Sequence, residues 1–263
     1  MGNKIQKIFI GTNQVRPSII KSAWIYHNPS EWLLSISSDG TNWITIADKN
    51  LWATQVWNSW DTLSEVNCGK YYQWGNNYWF AWKGSVTSST TRVNASTYWP
   101  WNYYNWSTFI KWRNAPYDRS SVRNNNLRWW ETWTNEAMQW PCASGFHVPR
   151  NTERQAVKTV WTALGGWSSA WTNFGIYLKL PFAGKRDNYY ADIASQGSAG
   201  IYRSSISSTA SSASSSYANA FYLNFSSSSI SPQGQYWERA NWLSVRPFKN
   251  EAVQPDTSRT KLY

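Results

Sequence analysis

The side chains that could do covalent chemistry are few and scattered in this sequence. Its two histidines, His27 and His147, lie far apart, and neither has a glutamate at metal-binding spacing. His147 stands between Phe146 and Val148, which favours a buried, hydrogen-bonded structural histidine. No serine is marked as a nucleophile by a neighbouring base, and no glycine-rich phosphate loop is present. We therefore interpret the chain as non-enzymatic and expect no cofactor and no metal site.

The C-terminal third has the composition of a recognition surface. Tyrosine supplies rigid contact area, serine and asparagine supply adaptable hydrogen bonds, and arginine can anchor a ligand. Residues 187–238 are rich in these types. The predicted ligand-binding residues are Asp187, Asn188, Tyr189, Tyr190, Tyr202, Arg203, Tyr217, Asn219, Tyr222, Asn224, Gln233, Gln235, Tyr236 and Glu238. The alternative is a polar loop region that drifts rapidly and binds nothing.

Short strands and one helix must position these residues. Alternating runs at 33–37 and 43–47 flank Asp39-Gly40, which predicts a β-hairpin because glycine accepts positive φ. The spacing of Ala156, Val157, Val160, Trp161 and Leu164 predicts an amphipathic helix over about 152–164. Thr152 with Gln155 resembles a capping box at its start, and Gly165-Gly166 supplies the stop.

Three further alternating runs, 176–180, 221–225 and 243–246, predict strands. The serine-rich stretch 204–216 lies between strands that must pair, so we expect a surface loop of a folded domain. We divide the chain into an N-terminal β module over 1–47, a main α+β domain over 48–250 and a disordered tail over 251–263.

Composition excludes several protein classes. Only 15% of the residues are charged, which excludes a coiled coil or a long helical bundle. A net charge of +11 is typical of nucleic-acid-binding proteins. The positive residues are scattered along the sequence, however, so we expect no nucleic-acid partner. No apolar run is long enough for a membrane span. Two cysteines, Cys68 and Cys142, are too few for a disulfide framework, and the sequence does not decide whether they pair.

Four motifs in order carry a resemblance to a known family: 71–77 (YYQWGNN), 141–149 (PCASGFHVP), 178–184 (LKLPFAG) and 243–249 (LSVRPFK). Together they resemble the Fibrobacter succinogenes major paralogous domain over residues 46–250. The resemblance implies a C-type-lectin-like fold with short antiparallel strands and long irregular loops. The sequence departs from the family at Arg154 and Arg203, where tryptophan is frequent, and at Pro247, where a cysteine often closes a disulfide with the counterpart of Cys142.

Lectin-like domains of this sort are similar to the variable proteins of diversity-generating retroelements, which randomise adenines in template codons. An asparagine codon treated in this way yields the residue types that dominate 187–237. We therefore expect a ligand- or receptor-binding display protein whose partner is a protein or glycan on another cell or particle. The alternative is a fixed structural, adhesive or carbohydrate-binding module of a cell surface or phage tail.

The start of the chain resembles that of some phage tail-associated proteins. Its first residues lack the apolar core of a signal peptide. We expect display at a cell or particle surface by a route without such a signal, and a cytoplasmic location stays open.

Tryptophan is unusually frequent, with 22 residues against 14 glycines. Many tryptophans stand in turn contexts, where a bulky residue does not easily take positive φ. We hypothesise that the gene comes from a lineage that reads UGA as glycine, and that many tryptophans are glycine there. The leading positions are Trp52, Trp57, Trp60, Trp79, Trp82, Trp129, Trp133, Trp140 and Trp242, whereas Trp43 and Trp74 look genuine. The alternative is an aromatic surface that binds sugars by stacking.

Overall fold

A computed structural model describes residues 24–92, 106–111, 141–163, 171–207, 219–231 and 236–250. Within these ranges the chain forms two larger antiparallel-rich sheets, a two-stranded pair and three short or medium helices. The fold class is therefore α+β, as the sequence predicts. The start of the chain, the tail over 251–263 and the predicted contact residues Tyr217, Gln233 and Gln235 lie outside the described residues.

The first sheet has five strands in the order β1-β2-β3-β15-β7. Its strands are β1 (Trp24–Asn28), β2 (Leu33–Ser37), β3 (Ile44–Ala47), β7 (Phe146–His147) and β15 (Phe248–Lys249). The predicted hairpin is confirmed, since β2 pairs β3 and Gly40 has φ 76°. The Asp39 carboxylate accepts hydrogen bonds of 2.8 Å from the amides of Thr41 and Asn42, which fixes the turn.

The predicted boundary at 47/48 falls inside this sheet. β15 pairs with β3 through Phe248 and Ile46, so the N-terminal strands are joined directly to the last strand of the domain. Ile25, Leu34 and Ile36 share one core cluster with side chains of the main domain. The first strands therefore complete the domain's core.

The second sheet has eight strands, and they carry seven of the fourteen predicted contact residues. Six lie in the order β12-β11-β10-β14-β8-β9, and β13 and β4 pair with β11 and β14. Its strands are β4 (Tyr71–Gln73), β8 (Lys185–Arg186), β9 (Ile193–Ala194), β10 (Ala199–Ser207), β11 (Asn219–Ser226), β12 (Ile230–Ser231), β13 (Tyr236–Glu238) and β14 (Trp242–Ser244). β10 and β11 pair antiparallel. The predicted surface loop over 204–216 is wrong at its start, because residues 204–207 belong to β10 and Ser204 and Ser205 are buried. β5 (Ser88–Ser89) and β6 (Phe109–Ile110) form a separate parallel pair.

Three helices are present among the described residues: α1 (Glu65–Cys68), α2 (Asn151–Ala163) and α3 (Trp171–Tyr177). The predicted helix is confirmed in α2, whose Val157, Val160 and Trp161 are buried. The predicted capping box is wrong, because α2 begins one residue before Thr152. Instead, the Glu153 carboxylate accepts a 2.6 Å hydrogen bond from the Arg150 amide, which satisfies a donor ahead of the first turn.

The predicted strand at 176–180 is also wrong. Its first two residues end α3, and Leu178 donates from its amide to the Phe174 carbonyl at 3.2 Å. Phe174 and Leu178 are both buried, at the i, i+4 spacing of a helix face. Lys179 then takes φ 54° and ends the helical turn. Five alternating residues are too short to distinguish a strand from a helix end.

The largest core cluster lies where α2 and α3 pack against the two larger sheets. It joins Leu34 and Ile46 of the first sheet, Trp161 and Phe174 of the helices, and Phe225 of the second sheet. Rings meet edge to face at its centre, with Trp161 5.7 Å from Phe174 and Phe174 5.3 Å from Phe225. This packing fixes the second sheet and hence the turns at its edges.

Candidate functional site

The structure divides the predicted ligand-binding residues into an exposed group and a buried group. Tyr189 and Tyr190 are exposed. Asp187, two residues before Tyr189, is partly exposed, and so is Glu238 at the end of β13. Tyr202, Arg203 and Tyr222 are buried in the second sheet. Two residues of similar type can thus lie in opposite environments within the same segment of the chain.

A braced turn between β8 and β9 presents the two exposed tyrosines. The Asp187 amide donates to the Asp192 carbonyl at 2.8 Å, and the Ala191 amide donates to the Asp187 carbonyl at 3.0 Å. The Asp187 carboxylate accepts the Tyr189 amide at 2.8 Å and the Lys185 ammonium at 3.2 Å. We call residues 187–192 the tyrosine turn. Its backbone is held in place before any ligand arrives.

The rings of Tyr189 and Tyr190 form an edge-to-face pair at the tip of this turn. Their centroids lie 4.3 Å apart, and 37% of Tyr189 and 61% of Tyr190 are exposed. The pair restricts the rotamers of both rings, so a partner would lose less side-chain entropy on contact. This is the largest exposed tyrosine surface among the described residues.

Asn241 joins the tyrosine turn to the turn that follows β13. Its side-chain oxygen accepts the Asn188 amide at 3.1 Å, and its side-chain nitrogen donates to the Glu238 carboxylate at 2.8 Å. Asn188 and Asn241 are both buried. One neighbourhood therefore contains Asp187, Tyr189, Tyr190 and Glu238. The buried Asn188 supports it through the hydrogen bond of its amide to Asn241.

Tyr202 was predicted as a contact residue, and the structure corrects this. Its side chain is 1% exposed, its ring stacks on Phe225, and its hydroxyl donates to the Pro181 carbonyl at 2.7 Å. Burial raises the pKa of the Tyr202 phenol above its ordinary value. Tyr202 is a core residue because its position in β10 faces the helices.

Arg203, predicted as an exposed anchor, is wholly buried on the opposite face of β10. Its Nη2 donates to the Asn241 carbonyl, so it supports the same turn as Asn188 does. Burial, and next the charge of Arg239, lower the pKa of Arg203 to about 9. Arg203 is thus a supporting residue of the neighbourhood and supplies no exposed contact area.

Tyr222 is likewise buried, in a cluster with Ile201 and Leu243. Burial, and next the charge of Glu238, raise the pKa of Tyr222 to about 12. Asn224 follows on the same face of β11, is partly buried, and its side-chain oxygen has no hydrogen-bond partner within the described part of the chain. Neither residue adds to the exposed tyrosine surface.

The remaining predicted residues are placed only in part. Asn219 and Tyr236 lie in β11 and β13, whose register pairs Asn219 with Glu238 and Phe221 with Tyr236. Their backbones therefore approach the Asn241 turn along the sheet. Tyr217, Gln233 and Gln235 precede these strands and are not described.

The cysteines and histidines have structural positions. Cys68 and Cys142 are both free and buried, in different clusters, and burial raises the pKa of the Cys68 thiol to about 12. His147 is buried as predicted, with its ring nitrogens 2.9 Å from the Asn250 side-chain oxygen and 2.8 Å from the Glu153 carboxylate. Burial alone would raise the pKa of Glu153, but its contacts with His147 hold that pKa below the ordinary value.

The described residues contain neither a metal-binding cluster nor a membrane-spanning helix. No group of three or more histidine, cysteine, aspartate or glutamate side chains is arranged to hold a metal ion. No helix there is long and apolar enough to cross a membrane.

The tryptophans with a proposed glycine identity fall into several environments. Trp52 has φ 64°, in the region that favours glycine, and is 59% exposed. Trp242 is wholly buried, with its ring centroid 3.5 Å from Phe80 and 4.0 Å from Phe109, closer than the roughly 4.5–7 Å usual for ring pairs. A glycine would relieve the strain at the first position and the crowding at the second.

The other predicted positions that the structure describes give no such signal. Trp57 and Trp82 are buried, and Trp60 and Trp79 are exposed, without positive φ. Trp32 has φ 60° and was not among the predicted positions. Trp129, Trp133 and Trp140 lie outside the described residues.

Sequence reasoning missed Asn241, Arg154 and Arg246, which are all buried. A signal was available for Arg154, because it stands where the resembled family often has tryptophan, as Arg203 also does. A long basic side chain at an apolar position of a helix face indicates a buried guanidinium that needs partners. Nothing in the sequence distinguishes Asn241 from the many other asparagines.

Comparison of the chain with protein-family models, with curated proteins and with solved structures finds no match in any of the three.

Proposed function

We propose that this chain is a non-enzymatic ligand- or receptor-binding protein displayed on a cell or particle, and that the tyrosine turn forms the centre of its contact surface. The observation that carries the proposal is the paired exposure of Tyr189 and Tyr190 on a turn whose backbone is held by four amide hydrogen bonds. Aromatic residues with few rotatable bonds contribute contact area at low entropic cost. Its partner is a protein or glycan on another cell or particle.

The proposed architecture is a C-type-lectin-like domain. The mostly antiparallel sheets, the few helices and the pairing of β3 with β15 support this assignment. The four motifs that resemble the major paralogous domain supply the more specific argument. Two of them, 71–77 and 243–249, meet in the structure where β4 pairs with β14.

Diversification by a retroelement is the second part of the proposal. Residues 187–237 consist largely of types that adenine mutagenesis of asparagine codons produces. The burial of Tyr202, Arg203 and Tyr222 adds a constraint, because diversified positions must tolerate substitution without loss of the core. We therefore propose that variation falls on the tyrosine turn and spares these three buried positions.

Sequencing of the source locus tests both parts. The proposal expects a near-repeat of the 3′ end beside a reverse-transcriptase gene, with differences concentrated at adenines. Codons 187, 189 and 190 should differ between copies, whereas codons 202, 203 and 222 should not. A locus without a repeat, or with variation centred on the buried codons, contradicts the proposal. The same reads show whether codons 52 and 242 are UGA, as recoding requires, or UGG.

A carbohydrate-binding module is the second candidate, and an exposed pair of tryptophans favours it. Trp52 and Trp79 are 59% and 39% exposed, and their ring centroids lie 6.4 Å apart. Lys70 Nζ lies 4.3 Å from the Trp79 ring centroid, so a charged group flanks the pair. This candidate predicts quenching of tryptophan fluorescence by oligosaccharides that Trp52→Ala abolishes and Trp60→Ala, at an 80% exposed position, leaves intact.

A further inference from the structure

The first sheet has one face in the core and one face turned away from it. Ile25 and Ile46 belong to the core cluster. Because side chains alternate along a strand, the register of β1, β2 and β3 places Trp24, Tyr26 and Trp43 on the opposite face. All three are partly exposed, and none of them is a leading candidate for glycine. We call these three side chains the aromatic face.

Contacts with each other and with the backbone hold the three rings in place. The ring centroid of Trp43 lies 6.4 Å from that of Trp24 and 5.8 Å from that of Tyr26. The Trp24 ring also packs on the hairpin turn, where a Cβ atom at Gly40 would lie 2.5 Å from it. A ligand that stacks on these rings would therefore lose little side-chain entropy.

Small hydroxyl side chains fill the space between the rings. Ser37 lies opposite Trp24 in the register, and Ser35 lies opposite Tyr26 and Thr45. The hydroxyls of Ser35 and Thr45 are 3.4 Å apart, and all three small side chains are buried. Because the small side chains are buried and the rings are partly exposed, a ligand on this face would contact the rings first.

The aromatic face is uncharged although the whole chain has a net charge of +11. The register places three residues from each of the segments 24–28, 33–37 and 43–47 on this face, and none of the nine is charged. Asp39, in the adjoining hairpin turn, is engaged by the amides of the turn itself. Lys49, past the end of β3, lies over the Trp32 ring. A single-stranded nucleic acid also stacks on aromatic rings but needs a positively charged groove, so this face fits a neutral ligand.

The size of the face argues for a small or chain-like ligand. Three strands of five residues span roughly 13 Å along the strands and 10 Å across them. Each partner in a stable protein complex buries about 800 Å², which is several times this area. The rings are also tilted to one another, by 40° and 56°, so they do not lie against one flat surface. A single soluble chain fits this geometry better than a protein surface or a crystalline polymer.

Sugar rings have the chemistry that this face can bind without a charge. An aromatic ring presents a flat apolar face with negative charge density, which attracts the C–H bonds on one side of a sugar ring. Hydroxyl groups at the rim of the sugar need polar partners, which Asn28 and Ser30 supply at one end of the face and Asn42 supplies at the other. We propose that the aromatic face binds a single chain of a neutral oligosaccharide. It uses no side chain of the tyrosine turn or of the Trp52–Trp79 pair.

Isothermal titration calorimetry of the full chain tests the ligand class. The neutral probes are maltohexaose, xylohexaose and cellohexaose, and the charged probes are hexagalacturonate and hexathymidylate. At least one neutral probe should bind with a Kd below about 1 mM, and the affinity should not depend on salt because no charge takes part. Absence of binding by all three neutral probes, or binding of a charged probe alone, would overturn the proposal.

Matched variants assign the binding to the aromatic face. Trp43→Ala and Tyr26→Ala should each weaken the binding of that neutral probe by about tenfold, because each removes a stacking ring. Trp60→Ala, at an 80% exposed position outside the face, should leave the affinity unchanged. Loss of binding in Trp52→Ala with full binding in Trp43→Ala would place the sugar on the other tryptophan pair and refute this site.

Two further measurements keep the outcome independent of the tyrosine turn and of variant folding. The double variant Tyr189→Ala/Tyr190→Ala should bind the oligosaccharide as the wild type does, so failure of one site leaves the other standing. Should Trp43→Ala and Tyr26→Ala fail to fold, oxidation of the wild type by N-bromosuccinimide, read out by mass spectrometry, decides the question. The three neutral probes together should slow the oxidation of Trp43 and leave that of Trp60 unchanged. Equal oxidation of Trp43 with and without sugar would contradict the proposal.

Discussion

The tyrosine turn and the paired strands β10 and β11 both contain predicted contact residues, and these residues lie in opposite environments. Both contain tyrosine, arginine or asparagine in a polar context, and both were predicted as contact surface. In the turn the side chains of Tyr189 and Tyr190 point out of the core, whereas Tyr202 and Tyr222 are each 2% exposed or less. Residue type therefore indicates which side chains could contact a partner, and the position of each residue in the fold decides whether it is exposed to one.

Truncation of one tyrosine in each region should separate them most strongly. Tyr202→Ala removes a buried ring and its hydrogen bond to the Pro181 carbonyl, which then keeps only the Ala183 amide as a donor, so we expect a loss of about 3–5 kcal/mol in the free energy of unfolding. Tyr190→Ala, the same substitution at an exposed site, should change it by less than about 0.5 kcal/mol. Chemical denaturation of both variants checks this. Equal losses would place both tyrosines in one environment.

Asn241 connects the tyrosine turn to β10, through Asn188 and Arg203. Its removal should loosen the tyrosine turn more than the paired strands. Asn241→Ala deletes the acceptor of the Asn188 amide and the partner of Glu238, at a cost of about 1–3 kcal/mol. Hydrogen exchange should speed up across the tyrosine turn and stay slow in β10 and β11. Asn42→Ala, in the exposed hairpin turn of the first sheet, is the control and should leave the tyrosine turn protected. Unchanged exchange in the tyrosine turn would show that Asn241 does not hold it.

The pH dependence of stability should reveal the burial of Tyr222. Its pKa is raised from about 10 to about 12 in the folded state, because burial disfavours the charged phenolate. The neutral phenol therefore makes its full contribution to the free energy of unfolding below pH 10, and this contribution is lost as the pH rises towards 12. Relative to Tyr222→Phe, the wild type should therefore lose about 1–2 kcal/mol over this interval. Urea denaturation at pH 9, 10 and 11 follows the difference. A constant difference would mean that Tyr222 is solvated and that β11 belongs to the contact surface.

The smallest effect on stability should accompany the largest effect on recognition. The double variant Tyr189→Ala/Tyr190→Ala removes two exposed rings and should change the free energy of unfolding by less than about 1 kcal/mol. It leaves the hydrogen bonds of Asp187 and Asn241 in place, so circular dichroism and Tm should match the wild type. A drop comparable to that of Tyr202→Ala would mean that these rings support the fold.

The sequence predicted those parts of the fold that depend on interactions between residues close together in the chain. Asp39-Gly40 specifies its hairpin through a carboxylate cap and a positive φ, and Val157, Val160 and Trp161 specify the buried face of α2. The run 176–180 was misassigned because the helical relation of Phe174 to Leu178 begins before the alternating segment. Each of these outcomes follows from contacts within a few residues.

The candidate site was predicted only in part because it depends on contacts between distant segments. Burial of Tyr202 follows from the pairing of β10 with β11 and β14, and the position of the tyrosine turn depends on the pairing of β8 with β14; no local pattern reports either of them. The same holds for Asn241, which acts on Asn188 across more than fifty residues of sequence. The chemistry of the residues was visible in the sequence, and their separation into surface and core was not.

Hydroxyl-radical footprinting of the full-length protein, read out by mass spectrometry, tests the central claim most directly because it needs no ligand. We expect rapid oxidation of Tyr190, slower oxidation of Tyr189, and protection of Tyr202 and Tyr222 until the protein unfolds. Oxidation of Tyr202 or Tyr222 at the rate of Tyr190 in the folded protein would contradict it and return β10 and β11 to the contact surface.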